Sequence, residues 1–362
     1  MGEPDVPDPS VIAAGPNSIF AGVPDSAVNF DAGHVIADQF EVVRRLGQGG
    51  MGIVYEVQDR LTQQRLALKV MLPSILAKPR AFEAFVREVN VARRLRHPGI
   101  VAVYDVRQAG PLMFFTMELL HGQTLRQILN QHKRLSLGKA VGVAYRVCCA
   151  LDHAHRFTVH RDICPENIMI LPDARVFLLD FGIAMAIDAA GSEQELPAGR
   201  AFYMAPEQLE NANTVDARAD IFSLGVIFYE MLTGELPTGY TRVGDIRPEL
   251  PPECDKVLRH ALGPRDKRYP KARDFARALE NCLKAPLGHA SEPTTPTGPP
   301  PPLIEPAPPK RPLESVPDPV VNTGDVDTVP VSPKAKLTLV HSSQEREWEE
   351  WEKRVDKGRQ QR

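Results

Sequence analysis

The hydrophobic pattern of the chain changes character near residue 118. Before it, short apolar runs bounded by glycine and polar turns predict strands over Phe40 to Leu46, Tyr55 to Val57, Arg65 to Val70, Ile100 to Val106 and Leu112 to Met117. One helix interrupts them over residues 80 to 96, with Phe82, Phe85, Val89, Ala92 and Leu95 on one side and a stop at His97-Pro98-Gly99. From Thr124 the period is largely helical to residue 157, and further helices are predicted over 220 to 232, 252 to 262 and 271 to 283. Within this helical part, Asn167 to Ile170 and Val176 to Leu179 are short apolar strands joined by the turn Leu171-Pro172-Asp173-Ala174-Arg175. A strand-rich segment followed by a helix-rich one predicts an α+β fold of two lobes, about 38–118 and 121–284, with a crevice where they join.

The flanks have a different composition. Residues 1–37 hold several Pro and Gly, five scattered carboxylates and no Lys or Arg, which predicts a flexible acidic leader unable to bury enough apolar surface to offset its ordering entropy. Residues 285–340 form a Pro-rich linker, with fourteen prolines between Pro293 and Pro333, too many for a packed core. The last stretch, 341–362, is charged; Trp348, Trp351 and Val355 fall on one stripe of a short helix suited to weak docking or pairing. A formal charge of −3 gives no general nucleic-acid or membrane surface, and no run approaches the length of a membrane span. The N-terminal stretch has no basic region or apolar core for a signal peptide, and five cysteines without short paired spacings read as reduced thiols, so a cytoplasmic setting is expected.

Chemistry concentrates at three places. Leu46-Gly47-Gln48-Gly49-Gly50-Met51-Gly52-Ile53-Val54 is a glycine-rich turn between two predicted strands, where backbone N–H groups can approach phosphates without side-chain interference. A strand follows it where a Rossmann fold would have a helix. Lys69 lies in an apolar run, where an unpaired ammonium is costly; Glu83 and Glu88 on the following helix are its candidate partners. In His160-Arg161-Asp162-Ile163-Cys164-Pro165-Glu166-Asn167, followed by Asp180-Phe181-Gly182, two carboxylates and an amide converge if the short strands between them fold back. That set suits phosphoryl transfer: Asp162 takes the proton of an attacking hydroxyl, while Asn167 and Asp180, hard oxygen ligands, hold Mg²⁺ against the phosphates.

Taken in order, these motifs resemble the eukaryotic-like Ser/Thr protein kinases of bacteria over roughly residues 40 to 283. Gly47-x-Gly49-x-x-Gly52-x-Val54 is similar to the family's glycine loop, and Ala67-Leu68-Lys69 to its nucleotide-anchoring lysine. Glu88, nine residues before His97-Pro98, matches the lysine's ion-pair partner better than Glu83. Ala205-Pro206-Glu207 matches the end of the activation segment. The resemblance implies a bilobal fold with ATP in the crevice and transfer of its γ-phosphate to Ser or Thr hydroxyls of protein substrates, the chain itself included. It implies that Met117 guards the back of the adenine pocket, that Glu118 to Leu120 form the hinge, and that Asp220 and the pair Glu207 with Arg268 support the helical lobe. The non-enzyme alternative is a pseudokinase scaffold that binds nucleotide and signals through shape. Thr294, Thr295 and Thr297 in the linker are accessible candidates for self-modification that would recruit phosphothreonine-reading partners.

Three departures from the family pattern matter. The usual lysine two residues after the catalytic aspartate is Cys164 here, and the usual Gly-Thr before Ala-Pro-Glu is Gly199-Arg200. Those two positions are neighbours in the family's fold, so Arg200 is expected to restore the charge that Cys164 omits. Second, Ser192 is the only Ser or Thr between Gly182 and Ala205, and Glu193 and Glu195 beside it are candidates to neutralise Arg161 without a phosphate. Third, Leu236-Pro237 reaches Arg247-Pro248 in few residues, shorter than the family's usual insertion with a substrate-docking helix.

Overall fold

The glycine turn closes a hairpin that organises the first lobe. In the computed structural model, which describes residues 19–78, 81–180, 199–210, 215–237 and 241–285, strands β1 (Val35–Ile36), β2 (Phe40–Gly49), β3 (Gly52–Asp59), β4 (Arg65–Met71), β5 (Val103–Ala109) and β6 (Leu112–Met117) form one antiparallel sheet in the order β1-β2-β3-β4-β6-β5. Gly49 pairs with Gly52 across the hairpin, and Val54 pairs with Lys69 on the next strand. Gly52 admits no side chain, because a Cβ there would lie 2.3 Å from the Val70 carbonyl oxygen. Between the strands run α1 (Pro73–Leu76) and α2 (Ala81–Ala92), the second burying Phe85, Val89 and Ala92 against the sheet side as its periodicity predicts.

The helical part contains α3 (Leu125–His132), α4 (Leu137–Ala154), α5 (Pro206–Glu210), α6 (Arg218–Thr233), α7 (Val243–Ile246), α8 (Glu253–Ala261) and α9 (Ala272–Lys284). The single helical run expected from Thr124 is therefore two helices. Thr124 caps α3 reciprocally with Gln127, Lys133 ends it at φ 58°, and Ser136 caps α4. α6 is buried along nearly its whole length, and at Gly225 it approaches Ala261 and Leu262 so closely that a Cβ would meet the Ala261 methyl at 2.9 Å. A small sheet of β7 (Gln123–Thr124), β8 (Ile168–Ile170) and β9 (Val176–Leu178) borders the loop 160–167, and Leu178 exchanges backbone hydrogen bonds with Gly99 and Val101 of the first lobe. The short α7 lies between Pro237 and Arg247.

The leader differs from expectation in its second half. From Ile19 to Ile36 it is docked on the sheet and on α1 and α2: Phe20 is 1% exposed and packs tilted against Phe82 with centroids 5.8 Å apart, and Val28 is fully buried. The Tyr55 hydroxyl donates to the Val28 carbonyl (2.8 Å) and accepts from the Phe30 amide (3.1 Å). Asp25 caps α1 from a distance, accepting from the Ser74 amide (3.0 Å) and hydroxyl (2.7 Å). Sparse apolar anchors, each with a tertiary partner, offset the poor composition. Phe20→Ala should therefore lower stability by about 3 kcal/mol, read as a lower urea midpoint; an unchanged midpoint would show that this docking contributes nothing.

The first 18 residues of the leader, the serine at 192 with its flanking glutamates, the Pro-rich linker and the stretch expected to form the Trp-bearing helix lie outside the described residues. The chain divides into a unit ending at Pro296 and a second, Thr297–Arg362, also outside them. Among the described residues no helix is long and apolar enough to cross a membrane.

Candidate active site

The loop that follows α4 is held from below by one carboxylate. Asp220, fully buried near the start of α6, accepts from the amides of His160 (2.8 Å) and Arg161 (2.7 Å) and from the His155 ring (2.8 Å). Burial pushes its pKa up, but the bond from His155 and the neighbouring amide donors outweigh burial and hold it below the ordinary carboxylate value. The anchor permits a costly backbone: Arg161 has φ 65°, a region that non-glycine residues occupy at about 1–3 kcal/mol. Gln208 holds the next peptide, donating to the Arg161 carbonyl (2.7 Å) while its own amide oxygen accepts from Ala205 N–H (3.1 Å). Periodicity gave no signal for Gln208; only its place directly after Ala-Pro-Glu marks it.

Above this anchor the polar groups converge. Asn167 donates to both the carbonyl and Oδ2 of Asp162, at 2.9 Å each. The His160 ring accepts from the Asp162 amide (3.3 Å) and donates to the Leu179 carbonyl (2.9 Å), tying the loop to the end of β9. Asp180, at φ 50°, follows directly and bonds the Lys69 ammonium at 2.7 Å. Burial raises the Asp180 pKa, yet Lys69, with Arg200 and His160, more than compensates and keeps it low. Four side chains from β4, the catalytic loop and the end of β9 thus share one gap.

Arg200 joins them. It opens a 3-10 turn, Arg200–Tyr203, and its Nη1 donates to Asp162 Oδ2 at 2.8 Å. Burial leaves Asp162 with a raised pKa against the pull of Arg200, His160 and Asn167, the direction that suits a proton acceptor. Cys164 is 1% exposed, and burial drives its thiol far above the ordinary range, so it stays neutral. Arg200 is the cation that stands by Asp162.

One expected contact is corrected. Lys69 does not pair with Glu88: its ammonium is on Asp180, and Glu88 lies 3.7 Å from Arg87 of its own helix. With Asp180 this close, the lysine already has the anion it needs, and Glu88 remains on the half-buried side of α2. Glu83 on α2 shows no ion pair to Lys69 either. Glu207 and Arg268 do pair, at 2.6 and 3.1 Å through both nitrogens, next to α6.

The nucleotide side fits a phosphate-bearing ligand. Gly47, Gly49 and Gly50 have nothing within 4 Å of where a Cβ would be, so the turn of Leu46 to Val54, with Gln48, Met51 and Ile53, offers bare backbone above Lys69. Ala67 pairs with Met117 across β4 and β6, and Met117 lines a small apolar hollow with Ala92, Val103, Phe115 and Asp180. Glu118 N–H donates to the Ala102 carbonyl, and the chain continues through Leu120 into the helical lobe. Asn167 and Asp180 are the residues that would hold Mg²⁺.

Comparison with known proteins adds to this geometry. The family model described as protein kinase domain matches residues 40–284. Serine/threonine-protein kinase PknB of Mycolicibacterium smegmatis is 35% identical over 268 residues, which are 67% of this chain and 43% of that protein. PknH of Mycobacterium bovis is 33% identical over 272 residues, 70% of this chain and 46% of that one. The chain thus spans less than half the length of these curated relatives. The crystal structure of the PknI kinase domain of Mycobacterium tuberculosis superposes with a TM-score of 0.60 at 31% identity, covering 70% of this chain and 100% of that domain.

Proposed function

Since the chain belongs to the protein kinase family, we propose that it is an Mg-ATP-dependent protein serine/threonine kinase that transfers the γ-phosphate to Ser or Thr hydroxyls of protein substrates, itself included. The observation that carries this is the convergence of Lys69, Asp162, Asn167 and Asp180 in one gap, with Lys69 2.7 Å from Asp180 and Asn167 2.9 Å from Asp162. Magnesium held by Asn167 and Asp180 would neutralise phosphate charge and orient the γ-phosphoryl group. Lys69 turns its ammonium to the α- and β-phosphates, and the glycine turn covers them. Both described contacts of the Asp162 carboxylate fall on Oδ2, so Oδ1 is the oxygen that takes the acceptor's proton as the new O–P bond forms and ADP departs. Arg200 supplies positive charge beside the transferring group, which supports an enzyme over a nucleotide-binding scaffold.

The five cysteines without short paired spacings and the dependence on Mg-ATP support a cytoplasmic setting. Thr294, Thr295 and Thr297 are our proposed self-modification sites for phosphothreonine-reading partners. Incubation with γ-labelled ATP and Mg²⁺ should label wild type and a casein acceptor, and Asp162→Asn should reduce labelling by at least about 10²-fold. Equal labelling of the two proteins would remove Asp162 from the chemistry.

A further inference from the structure

A second polar cluster, beneath the site, takes no part in that chemistry. Arg126, at the start of α3, donates from Nε to Glu166 Oε1 (2.8 Å), from Nη1 to Glu230 Oε1 (2.7 Å) and from Nη2 to the Tyr203 hydroxyl. The Tyr203 hydroxyl in turn donates to Glu230 Oε2 (2.6 Å). Glu230, on α6, is 7% exposed, and a carboxylate buried so deeply needs this partner. The two other acceptors sit on the two turns that frame the site. Glu166 precedes Asn167 in the 3-10 turn Pro165–Asn167, and Tyr203 closes the 3-10 turn that Arg200 opens.

We infer that Arg126 is a positioning residue for phosphoryl transfer, whose guanidinium fixes the spacing between the turn presenting Arg200 and the loop presenting Asp162 and Asn167. Residues three apart in a 3-10 turn eclipse one another, so a Tyr203 displaced from Glu230 carries Arg200 with it. The planar fork matters as much as its charge: three donors in fixed directions meet three acceptors from three elements, which an ammonium cannot reproduce. Burial works against the charge of Arg126, yet Glu230 and Glu166 raise its pKa further, so the fork stays protonated throughout the working pH range.

The inference rests on the kinase activity and on the part given there to Arg200. In the full chain, Arg126→Ala should lower kcat for label transfer to casein by about tenfold or more, with KM for ATP within about twofold of wild type, since a misplacement near 1 Å costs up to ~10²-fold. Adding Arg126→Ala to Arg200→Ala should cost no more than about twofold further, because both substitutions break one pairing. Arg126→Lys should fall between wild type and alanine, and it decides the matter if the alanine variant does not fold. Hydrogen exchange, which needs no turnover, should rise together at the amides of Asn167 and Met204, which close the two turns. Multiplicative losses, an unchanged kcat in a folded variant, or unchanged exchange at both amides would overturn the inference. Should wild type itself transfer no phosphate, the kinase proposal fails, and the exchange measurement alone then decides whether Arg126 couples the turns.

Discussion

Arg200→Ala is expected to lower turnover by about 10²–10³-fold, the usual cost of losing one preorganised electrostatic donor, while KM for ATP stays near its wild-type value. The guanidinium is 2.8 Å from Asp162 Oδ2, so its loss is felt at the transferring group rather than in nucleotide binding. Cys164 is neutral and buried, and cannot substitute. Cys164→Lys in the Arg200→Ala background puts one cation back into the space the guanidinium vacates and should recover much of the lost turnover; in the wild-type background it crowds two cations together and should not help.

The pH profile separates this role from a merely structural one. Asp162 accepts a proton only while ionised, so activity is present above its pKa and lost as pH falls through it. Burial raises that pKa and Arg200 is the largest influence lowering it. Removing Arg200 must therefore move the acidic limb of kcat to higher pH, whereas simple misfolding would scale the whole profile down. An Arg200→Ala enzyme with wild-type turnover, or with its acidic limb unmoved, would end the compensation idea.

The elements and the sites were legible in the sequence to different degrees. Strands β2 to β6 and helices α2, α6, α8 and α9 lie close to where apolar periodicity put them, because each buries one continuous face that must repeat at the strand or helix period. The docking of Ile19 to Ile36 was not legible: Phe20, Val28 and Ile36 are too far apart to form a periodic run, and each acquires its value only from Phe82, Tyr55 or the edge of β2. In the site, spacing alone was enough to suggest that Asp162, Asn167 and Asp180 converge, since only one short hairpin separates them. The partner of Lys69 was a different matter. Asp180 holds the ammonium from 111 residues along the chain, a tertiary pairing that no local pattern encodes. Gln208 and Arg126 were invisible for a related reason: their partners lie 47 and up to 104 residues away.

Asp220→Ala should be the most destabilising single change in the helical lobe. The substitution removes the carboxylate and leaves the buried amide of His160 and the part-buried amide of Arg161 without acceptors. At roughly 1–3 kcal/mol for each orphaned donor the loss is about 2–6 kcal/mol. For a domain of this size that is a fall in Tm on the order of 10 °C. Activity should fall further than stability, because Arg161 at φ 65° then keeps, among its described backbone bonds, the one from Gln208 to its carbonyl, and Asp162 is the next residue. Asp220→Asn keeps one acceptor oxygen and should lose about half as much. The sign of the pH dependence follows from the lowered pKa of Asp220, whose ordinary value is 3.8. A carboxylate depressed in the folded state contributes stability that is fully present above its unfolded pKa and disappears as pH falls through the folded one. The stability gap between wild type and Asp220→Asn should accordingly be constant from neutral pH down to about pH 4–5 and narrow below it. A gap that widened on acidification, or an alanine variant melting within about 2 °C of wild type, would mean that the loop is held by something other than this carboxylate.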